Sequence, residues 1–440
     1  MLEKISGFIW GLPMIFLLFG THIYLSFKTG FIQRKTFYAI KLSLKKENSS
    51  SNSMSPFQAL CLSLASTIGT GNIAGVGMAV FLGGPGAVFW CWLTGVLGIA
   101  TKYGETLICA KYKTKTKNGF RSGSMYVLEN VLKKKKLAVM FSLCTVAASL
   151  GIGCMTQINS ITQIVCSNCR FVLIKPQTVC ITLALITAFV IFGGIKSAAK
   201  VCEKLVPFMA AMYVSGCAVI LIINSSYLAD ALKLIVVSAF KPCALFGGFA
   251  GSGLMCAMRH GIAGGLFSNE AGLGSAPLAA ASLDTKNPVR QALISSTSTF
   301  WDTVVICLMT GLVIVSTIVK NPDMTVSNGT LLTTEAFNKI PVFGPFVMVF
   351  GIITFAYSTV LGWTCYGEIC FEYLFKGRFL FLYRTAVILA IIISPAVSTE
   401  QIWHLSDIFN AFMALPNLYA VFSLSNVIKT DTKLYFKNLK

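Results

Sequence analysis

Two stretches of glycine, hydroxyl and amide residues interrupt long apolar segments of the chain. One includes Ser66 to Gly75, and the other includes Gly247 to Gly253. Glycine costs about 1 kcal/mol per residue in a helix interior, so such clusters favour local unwinding. In lipid the freed backbone N–H and C=O groups must meet an ion, a polar ligand or a neighbouring helix. These stretches are therefore candidate binding sites for small charged molecules, with close helix packing by small residues as the alternative.

Other motifs offer weaker chemistry. Residues 69–74 fit the G-x-G-x-x-A fingerprint of dinucleotide binding, but the residue about twenty positions on is Trp92, and no strand–turn–helix pattern surrounds it. Cys166 and Cys169 form a C-x-x-C without a second Cys or His pair at zinc spacing. The three histidines include no H-E-x-x-H motif. We therefore expect neither an enzyme nor a bound cofactor.

The composition is typical of an integral membrane protein. Of the 440 residues, 55% are hydrophobic and 12% are charged, and the mean hydropathy is +0.74. Soluble domains carry about 25% charged residues, so this chain exposes too little charge for water alone. A single span of about 20 residues would leave most of the apolar excess unexplained. The chain is therefore predicted to be an all-α membrane protein with many spans.

Eleven apolar segments are long enough to form transmembrane helices. The first, at about 8–27, is expected to be a retained helix and not a cleaved signal peptide. The others are predicted at about 57–81, 85–108, 137–165, 178–195, 205–224, 242–267, 290–319, 343–375, 381–398 and 404–428. When the first helix is left out, ten spans remain, and the two glycine clusters fall in the first and the sixth of these ten. This spacing indicates two five-helix units, and the odd number gives the second unit the opposite topology.

The basic residues predict the orientation. The net charge of +20 could indicate nucleic-acid binding or membrane orientation. Of the 36 Lys and Arg residues, 29 lie in alternate segments: 28–56, 102–137, 196–204, 259–290, 376–384 and 429–440. By the positive-inside rule, this alternation places the N-terminus outside and the C-terminus in the cytoplasm. No nucleic-acid partner is predicted, and the bilayer is the surrounding medium.

The spans and charges together divide the chain into four regions. Residues 1–56 hold the first helix and a basic cytoplasmic linker, and residues 429–440 form a basic cytoplasmic tail. Residues 57–224 form the first five-helix repeat, and residues 225–428 form the second, inverted repeat.

Several motifs resemble those of the alanine or glycine:cation symporters, also called the sodium:alanine symporter family. They occur in order between residues 57 and 425. They read GTGNIAG at 69–75, GGPGAVFWCW at 83–92, ATKYGE at 100–105, GLFSNEAGLGSAP at 265–277, PVRQ at 288–291, YSTVLGW at 357–363 and YGE at 366–368.

The resemblance implies a fold and an activity. The fold would be a leucine-transporter-type core of two inverted five-helix repeats plus one N-terminal helix, in the bacterial cytoplasmic (inner) membrane. The activity would be sodium-coupled import of a small neutral amino acid: alanine, glycine or D-alanine. Proton-coupled symport is the alternative. A channel is a weaker rival, because it predicts repeated rings of pore-lining residues and not an asymmetric pair of breaks.

The chain departs from the family pattern at four places. Cys91 stands where Met is usual, Cys154 where Asn is usual, and Gly264 where Arg is usual, and SGSMY at 122–126 replaces GGPMY. Cys154 and Gly264 remove polar groups from segments near the expected pathway or gate. These departures bear on substrate preference and gating, and leave the transporter class unchanged.

A bound amino acid needs donors for its carboxylate and acceptors for its ammonium. The ends of a broken helix supply both through backbone groups and the helix dipole. We therefore predict substrate contacts at Thr70, Gly71 and Asn72 in the first cluster and at Ser252 in the second.

The side chain of the substrate needs a close wall. Phe249 and Trp363 are the predicted aromatic wall, although packing is an equal alternative for each. Gln157 belongs to a polar cluster in an otherwise apolar span, and the resemblance also makes it a substrate contact. Its alternative is an interhelical hydrogen bond.

Sodium prefers oxygen ligands, and leucine-transporter-type folds place a sodium site between the first and eighth core helices. The candidates are the hydroxyls of Ser358 and Thr359, or of Thr354 one turn away, with backbone carbonyls between Ala65 and Ile68.

Two acidic residues complete the predicted functional set. Asp302 is an intramembrane carboxylate and therefore a candidate by default, with a buried hydrogen bond as the alternative. Glu270 is expected near the cytoplasmic face, where a gating or structural role is favoured over substrate binding.

Overall fold

The computed structural model describes residues 7–44, 54–116, 119–168, 175–240, 254–280, 287–322 and 328–438. Regular structure in these ranges is helical except for one antiparallel hairpin. In it, β1 (Thr114–Thr116) pairs with β2 (Gly119–Arg121), and Lys115 lies opposite Phe120. The predicted all-α class is therefore confirmed at the level of a mostly helical chain.

Ten helices with both ends defined precede residue 224 in the described ranges. They are α1 (Leu12–Lys28), α2 (Thr36–Leu44), α3 (Pro56–Thr67), α4 (Val76–Gly83), α5 (Ala87–Lys111), α6 (Ser124–Tyr126), α7 (Lys135–Leu150), α8 (Thr156–Asn168), α9 (Pro176–Ile191) and α10 (Ile195–Ile223). A 3₁₀ turn, Ile32–Lys35, precedes α2.

The described part after residue 224 also has ten helices. They are α11 (Ser225–Phe240), α12 (Leu254–Asn269), α13 (Ala276–Ala279), α14 (Pro288–Thr299), α15 (Leu308–Lys320), α16 (Gly329–Asn338), α17 (Phe343–Leu374), α18 (Leu380–Ile393), α19 (Thr399–Ser423) and α20 (Ser425–Lys437). A 3₁₀ turn, Ser394–Ala396, follows α18.

Wide π-helical turns interrupt several helical segments. They occur at Gly71–Gly75, Val127–Val131, Gly151–Met155 and Phe300–Cys307. The last two join α7 to α8 and α14 to α15, so each pair forms one long helix. Such turns are rare and are frequent at functional sites. Three of the four contain or adjoin residues that the sequence analysis selected: Gly71, Gln157 and Asp302.

Five helical segments of the described chain are long and apolar enough to cross a membrane. They are Lys135–Ser167, Ile195–Ile223, Pro288–Lys320, Phe343–Leu374 and Gln401–Ser423. Two bent pairs raise this number to seven: Leu12–Lys28 with Ile32–Leu44, bent by 67°, and Pro56–Thr67 with Gly71–Gly83, bent by 52°. The multi-span class is therefore confirmed, whereas eleven spans and the 5+5 division stay predictions.

Three predicted loops are helical instead. The region 28–56 contains α2, and the basic stretch 196–204 is the first part of α10. The segment between residues 224 and 242 contains α11, an apolar helix that was not predicted. In the first two cases local charge was taken as a sign of a loop, although a helix can carry basic side chains at its end.

Lys102 was counted with the basic segment 102–137, although it also falls within the predicted span 85–108. It lies within α5, is fully buried, and donates to the Asn269 carbonyl at 2.9 Å. A buried ammonium needs such a partner because its desolvation is costly.

The described cysteines are free thiols. Cys61, Cys91, Cys144, Cys217 and Cys307 are buried, as expected for small apolar side chains, whereas Cys256, for which burial was also expected, is half-buried. Cys169 lies outside the described residues.

Candidate functional site

The first glycine cluster breaks a helix. Ser55 caps the start of α3, because its hydroxyl accepts the Gln58 N–H and the Gln58 side chain accepts the Ser55 N–H. The helix ends at Thr67, and Ile68 has extended backbone angles, φ −76° and ψ 95°. The chain then resumes helical turns at Gly71 in a new direction. We call residues 67–75 the helix break; local unwinding was predicted here and is confirmed.

The side chain of Asn72 stabilises the helix break by hydrogen bonds to the break and to neighbouring elements. Its Oδ1 accepts the Gly69 N–H at 2.9 Å, and its Nδ2 donates to Asp302 Oδ1 at 2.7 Å and to Ser268 Oγ at 3.1 Å. The amide is fully buried and does not line the nearby cavity. Its geometry is that of a residue that fixes the break, and a direct substrate contact by Asn72 stays a prediction.

Asp302 is the second partner in this network. Its Oδ2 accepts hydrogen bonds from Ser268 Oγ at 2.8 Å and from Thr303 Oγ1 at 2.7 Å. The side chain is fully buried in the π-helical turn Phe300–Cys307. The buried hydrogen bonds that the sequence analysis left open for Asp302 are therefore present, and they join the helix break to α12 and to the turn after α14.

Two hydroxyls of α17 face the carbonyls at the end of α3. Ser358 Oγ lies 3.4 Å from the Ala65 carbonyl oxygen, and Thr359 Oγ1 lies 3.3 Å from the Ile68 carbonyl oxygen. Each hydroxyl also lies 2.9 Å from the Phe355 carbonyl of its own helix. A hydroxyl has one proton, and the shorter contact to Phe355 is the better hydrogen bond.

Two hydroxyl–carbonyl pairs consequently lie between α17 and the end of α3, with too few protons for every contact. A hard cation suits such a group, because backbone and hydroxyl oxygens are its preferred ligands. The structure thus brings together four of the five sodium candidates. Thr354 differs, because its hydroxyl contacts the Phe350 and Gly351 carbonyls of α17, at 2.8 and 3.3 Å, and no carbonyl of α3.

A small cavity of about 30 Å³ adjoins these oxygens. It is lined from the helix break, from α8 and its preceding turn, from the end of α12, and from α17 and α19. The lining residues are Ser66, Thr67, Gly69, Gly71, Ile152, Gln157, Phe267, Ser268, Glu270, Leu273, Thr359, Trp363 and Asn410. Backbone, amide, carboxylate and aromatic groups therefore surround one space.

Gln157 reaches the helix break from α8. Its Oε1 accepts the Thr70 hydroxyl at 3.2 Å, and its Nε2 donates to the Ile152 carbonyl at 3.2 Å. The predicted interhelical hydrogen bond is present, and Gln157 also lines the cavity. One amide therefore connects the break with the turn Gly151–Met155.

The aromatic part of the cavity includes a residue that the sequence analysis missed. Trp363 lines the cavity as predicted, but Phe249 and Ser252 lie outside the described residues. Phe267 of α12 is a second aromatic lining residue, and its ring packs against Trp403 with centroids 5.2 Å apart. Its place beside Ser268 in the GLFSN motif was the available signal.

Glu270 lies in the cavity wall and not apart from the binding region. Its Oε2 accepts the Ser275 hydroxyl at 2.7 Å, and its backbone has a left-handed φ of 54°. The neighbouring Asn269 carbonyl is the acceptor of buried Lys102. A carboxylate and an ammonium thus flank this end of α12. The charged Lys102 within an apolar span was a signal that could have been used.

The chain resembles known proteins over its whole length. The family model described as the sodium:alanine symporter family matches residues 1–440. The chain is 44% identical to the sodium/alanine symporter AgcS of Methanococcus maripaludis over 444 residues, which cover 99% of this chain and 96% of that protein. It is 34% identical to a probable sodium/glutamine symporter, GlnT, of Bacillus subtilis, with 100% and 92% of the two chains covered.

Solved structures with the same fold are much more distant in sequence. MhsT in complex with L-phenylalanine aligns with a TM-score of 0.56 at 14% identity, covering 88% of this chain and 99% of MhsT. A Na⁺-coupled sialic acid symporter in a substrate-bound outward-open state aligns with a TM-score of 0.51 at 12% identity, covering 96% and 86%. At these identities the likeness concerns the fold alone.

Proposed function

The chain belongs to the sodium:alanine symporter family, and we propose that it moves alanine across a membrane together with sodium. The observation that carries the proposal is the group of four oxygens at the helix break. The Ser358 and Thr359 hydroxyls face the Ala65 and Ile68 carbonyls at 3.3 to 3.4 Å. Unwound carbonyls of a broken helix are the usual cation ligands of transporters built in this way.

The amino acid binds in the adjoining cavity. The half-helix that starts at Gly71 presents backbone N–H groups and the positive end of its dipole, which suit a carboxylate. Gln157 supplies an amide that can donate or accept, and Glu270 supplies a carboxylate that suits an ammonium group. Trp363 and Phe267 line this cavity, whose volume is only about 30 Å³, so a small side chain is favoured and glycine is proposed as a second substrate.

Coupling follows from the shared position of the two sites. Thr359 belongs to the oxygen group and also lines the cavity. An ion that fixes the helix break therefore also fixes one wall of the amino-acid site. Joint binding favours one conformation by its differential affinity for the two states, and no covalent step or cofactor is required.

The remaining topology is part of the same proposal. We place eleven helices in a bacterial cytoplasmic membrane, with a core of two inverted five-helix repeats, the N-terminus outside and the C-terminus inside. The distribution of 29 of 36 basic residues supports this orientation. The membership in a transporter family supports the absence of enzyme activity.

Uptake by reconstituted vesicles tests the proposal. Labelled alanine should accumulate under an inward sodium gradient, and unlabelled glycine should compete. A double variant, Ser358→Ala with Thr359→Val, should lose sodium-driven uptake. Thr364→Val is a matched control on α17, because its hydroxyl donates only within the helix, to Val360 at 2.7 Å.

Uptake driven by a proton gradient but indifferent to sodium would establish proton symport in its place. Uptake indifferent to both gradients would contradict symport altogether.

A further inference from the structure

Gly153 lies directly beneath the indole of Trp363. A Cβ atom at position 153 would lie 2.3 Å from Trp363 Cβ, 2.5 Å from its Cγ and 3.1 Å from its Cδ2. Real Cβ atoms do not approach other atoms within 3.0 Å. Only glycine at position 153 therefore admits the observed position of the indole.

The backbones on both sides of this contact are held in place. A Cβ at Gly151 would lie 2.5 Å from Ser406 Oγ, so the turn Gly151–Met155 is in close contact with α19. A Cβ at Gly362 would lie 2.7 Å from the Ser66 backbone nitrogen, so α17 is in close contact with α3. Neither backbone can move away from the other without disturbing a second contact.

Trp363 Cβ, the nearest of these atoms, is fixed to the α17 backbone, and rotation about side-chain bonds leaves it in place. A methyl group at position 153 would therefore displace this part of α17 together with the indole that it carries. The free space beside the ring is the cavity, which Trp363 lines together with Ile152 and Gln157. The ring would move into the space of the substrate side chain.

We propose that Gly153 is a specificity-determining residue that sets the depth of Trp363 and hence the size of the side chain admitted. This inference rests on the proposed transport of alanine and glycine. Gly153 touches no substrate and acts as a positioning residue through Trp363. Discrimination of one methyl group in an apolar pocket spans about 10- to 200-fold. Gly153→Ala should lower the alanine-to-glycine ratio of kcat/KM about tenfold.

The test measures labelled alanine and glycine uptake in vesicles for the wild type and for Gly153→Ala. Gly20→Ala is a control without a clash, because nothing lies within 4 Å of its Cβ position. Gly216→Ala is a control for a clash against α17 at a residue that does not line the cavity. Gly216 lies on α10, and its Cβ would lie 2.6 Å from Cγ1 of Val347 on α17. Both controls should keep the wild-type ratio.

A double variant, Gly153→Ala with Trp363→Phe, completes the experiment. The smaller ring should restore alanine uptake relative to glycine, which a general packing defect would not allow. An unchanged ratio in Gly153→Ala, or loss of both substrates without recovery in the double variant, would overturn the role of Gly153. A wild type that carries neither amino acid would instead contradict the proposed function.

Discussion

Two buried polar regions of this protein are built in opposite ways. At the helix break, the Ser358 and Thr359 hydroxyls face carbonyl oxygens at 3.3 to 3.4 Å beside a cavity. In a second region, which we call the glutamate clamp, Glu105 Oε2 accepts the N–H groups of Gly272 and Gly274 at 3.2 Å and the Asn417 amide at 2.9 Å. Ser124 donates to Asn417 Oδ1 at 2.6 Å.

The difference lies in how donors and acceptors are matched. In the glutamate clamp, donors of the protein surround one acceptor oxygen, and Gly272 and Gly274 adopt left-handed φ angles of 95° and 78° that allow their N–H groups to reach it. At the helix break, oxygens face oxygens. Intramembrane polarity thus serves structure where protein donors gather on one acceptor oxygen, and serves binding where a positive charge would complete the contacts.

The clamp should affect stability and leave transport selectivity alone. Asn417→Ala removes the amide that donates to Glu105 Oε2 and, at 2.8 Å, to the Gly272 carbonyl. Loss of a buried donor to a charged group should lower the free energy of unfolding by about 3 kcal/mol. Thermal unfolding in detergent measures this, with Leu415→Ala, an exposed residue of the same helix, as the control. If Asn417→Ala changed the KM for alanine but not the free energy of unfolding, the proposed difference between the two regions would be contradicted.

Gln157→Ala should show the reverse pattern. A hydrogen bond to a charged ligand is worth about 2 kcal/mol, so kcat/KM for alanine should decrease about 30-fold. The free energy of unfolding should decrease less than in Asn417→Ala, by about 1 kcal/mol, because the hydrogen bonds that Gln157 makes within the protein are between neutral groups. Gln163→Ala, an exposed residue of the same helix, is the matched control. Equal effects of the two variants would remove Gln157 from the substrate site.

The oxygen group should respond to sodium in particular. Thr359→Val keeps the shape of the side chain but removes an oxygen that faces the Ile68 carbonyl. The sodium concentration for half-maximal uptake should rise about tenfold, corresponding to about 1.4 kcal/mol. Measuring uptake against sodium at saturating alanine checks this. A sodium dependence identical to that of Thr364→Val would place the ion elsewhere.

The smallest expected effect is that of Thr70→Val. The Thr70 hydroxyl orients Gln157 Oε1 at 3.2 Å, and one hydrogen bond contributes about 1 kcal/mol. The KM for alanine should rise about fivefold. In combination with Gln157→Ala it should add little, because both variants remove the same contact. Full additivity would show that the two residues act independently.

The sequence predicted the membrane class, the break at residues 66–75 and the family. These features depend on neighbouring residues in the sequence. Hydropathy indicates whether a segment lies in lipid or in water, and a glycine cluster indicates where a helix is locally unstable. The pairing of Ser358 and Thr359 with Ala65 and Ile68 came from the family resemblance, because residues 291 to 293 positions apart carry no local mark of contact.

Only the tertiary structure decided how individual side chains are used. It placed Glu270 in the cavity wall, buried Lys102 beneath the Asn269 carbonyl, assigned Thr354 to its own helix and set Trp363 on Gly153. The sequence could not give these contacts, because a residue's role depends on which atoms of distant helices lie within a few ångströms of it. Helix packing alone determines those distances.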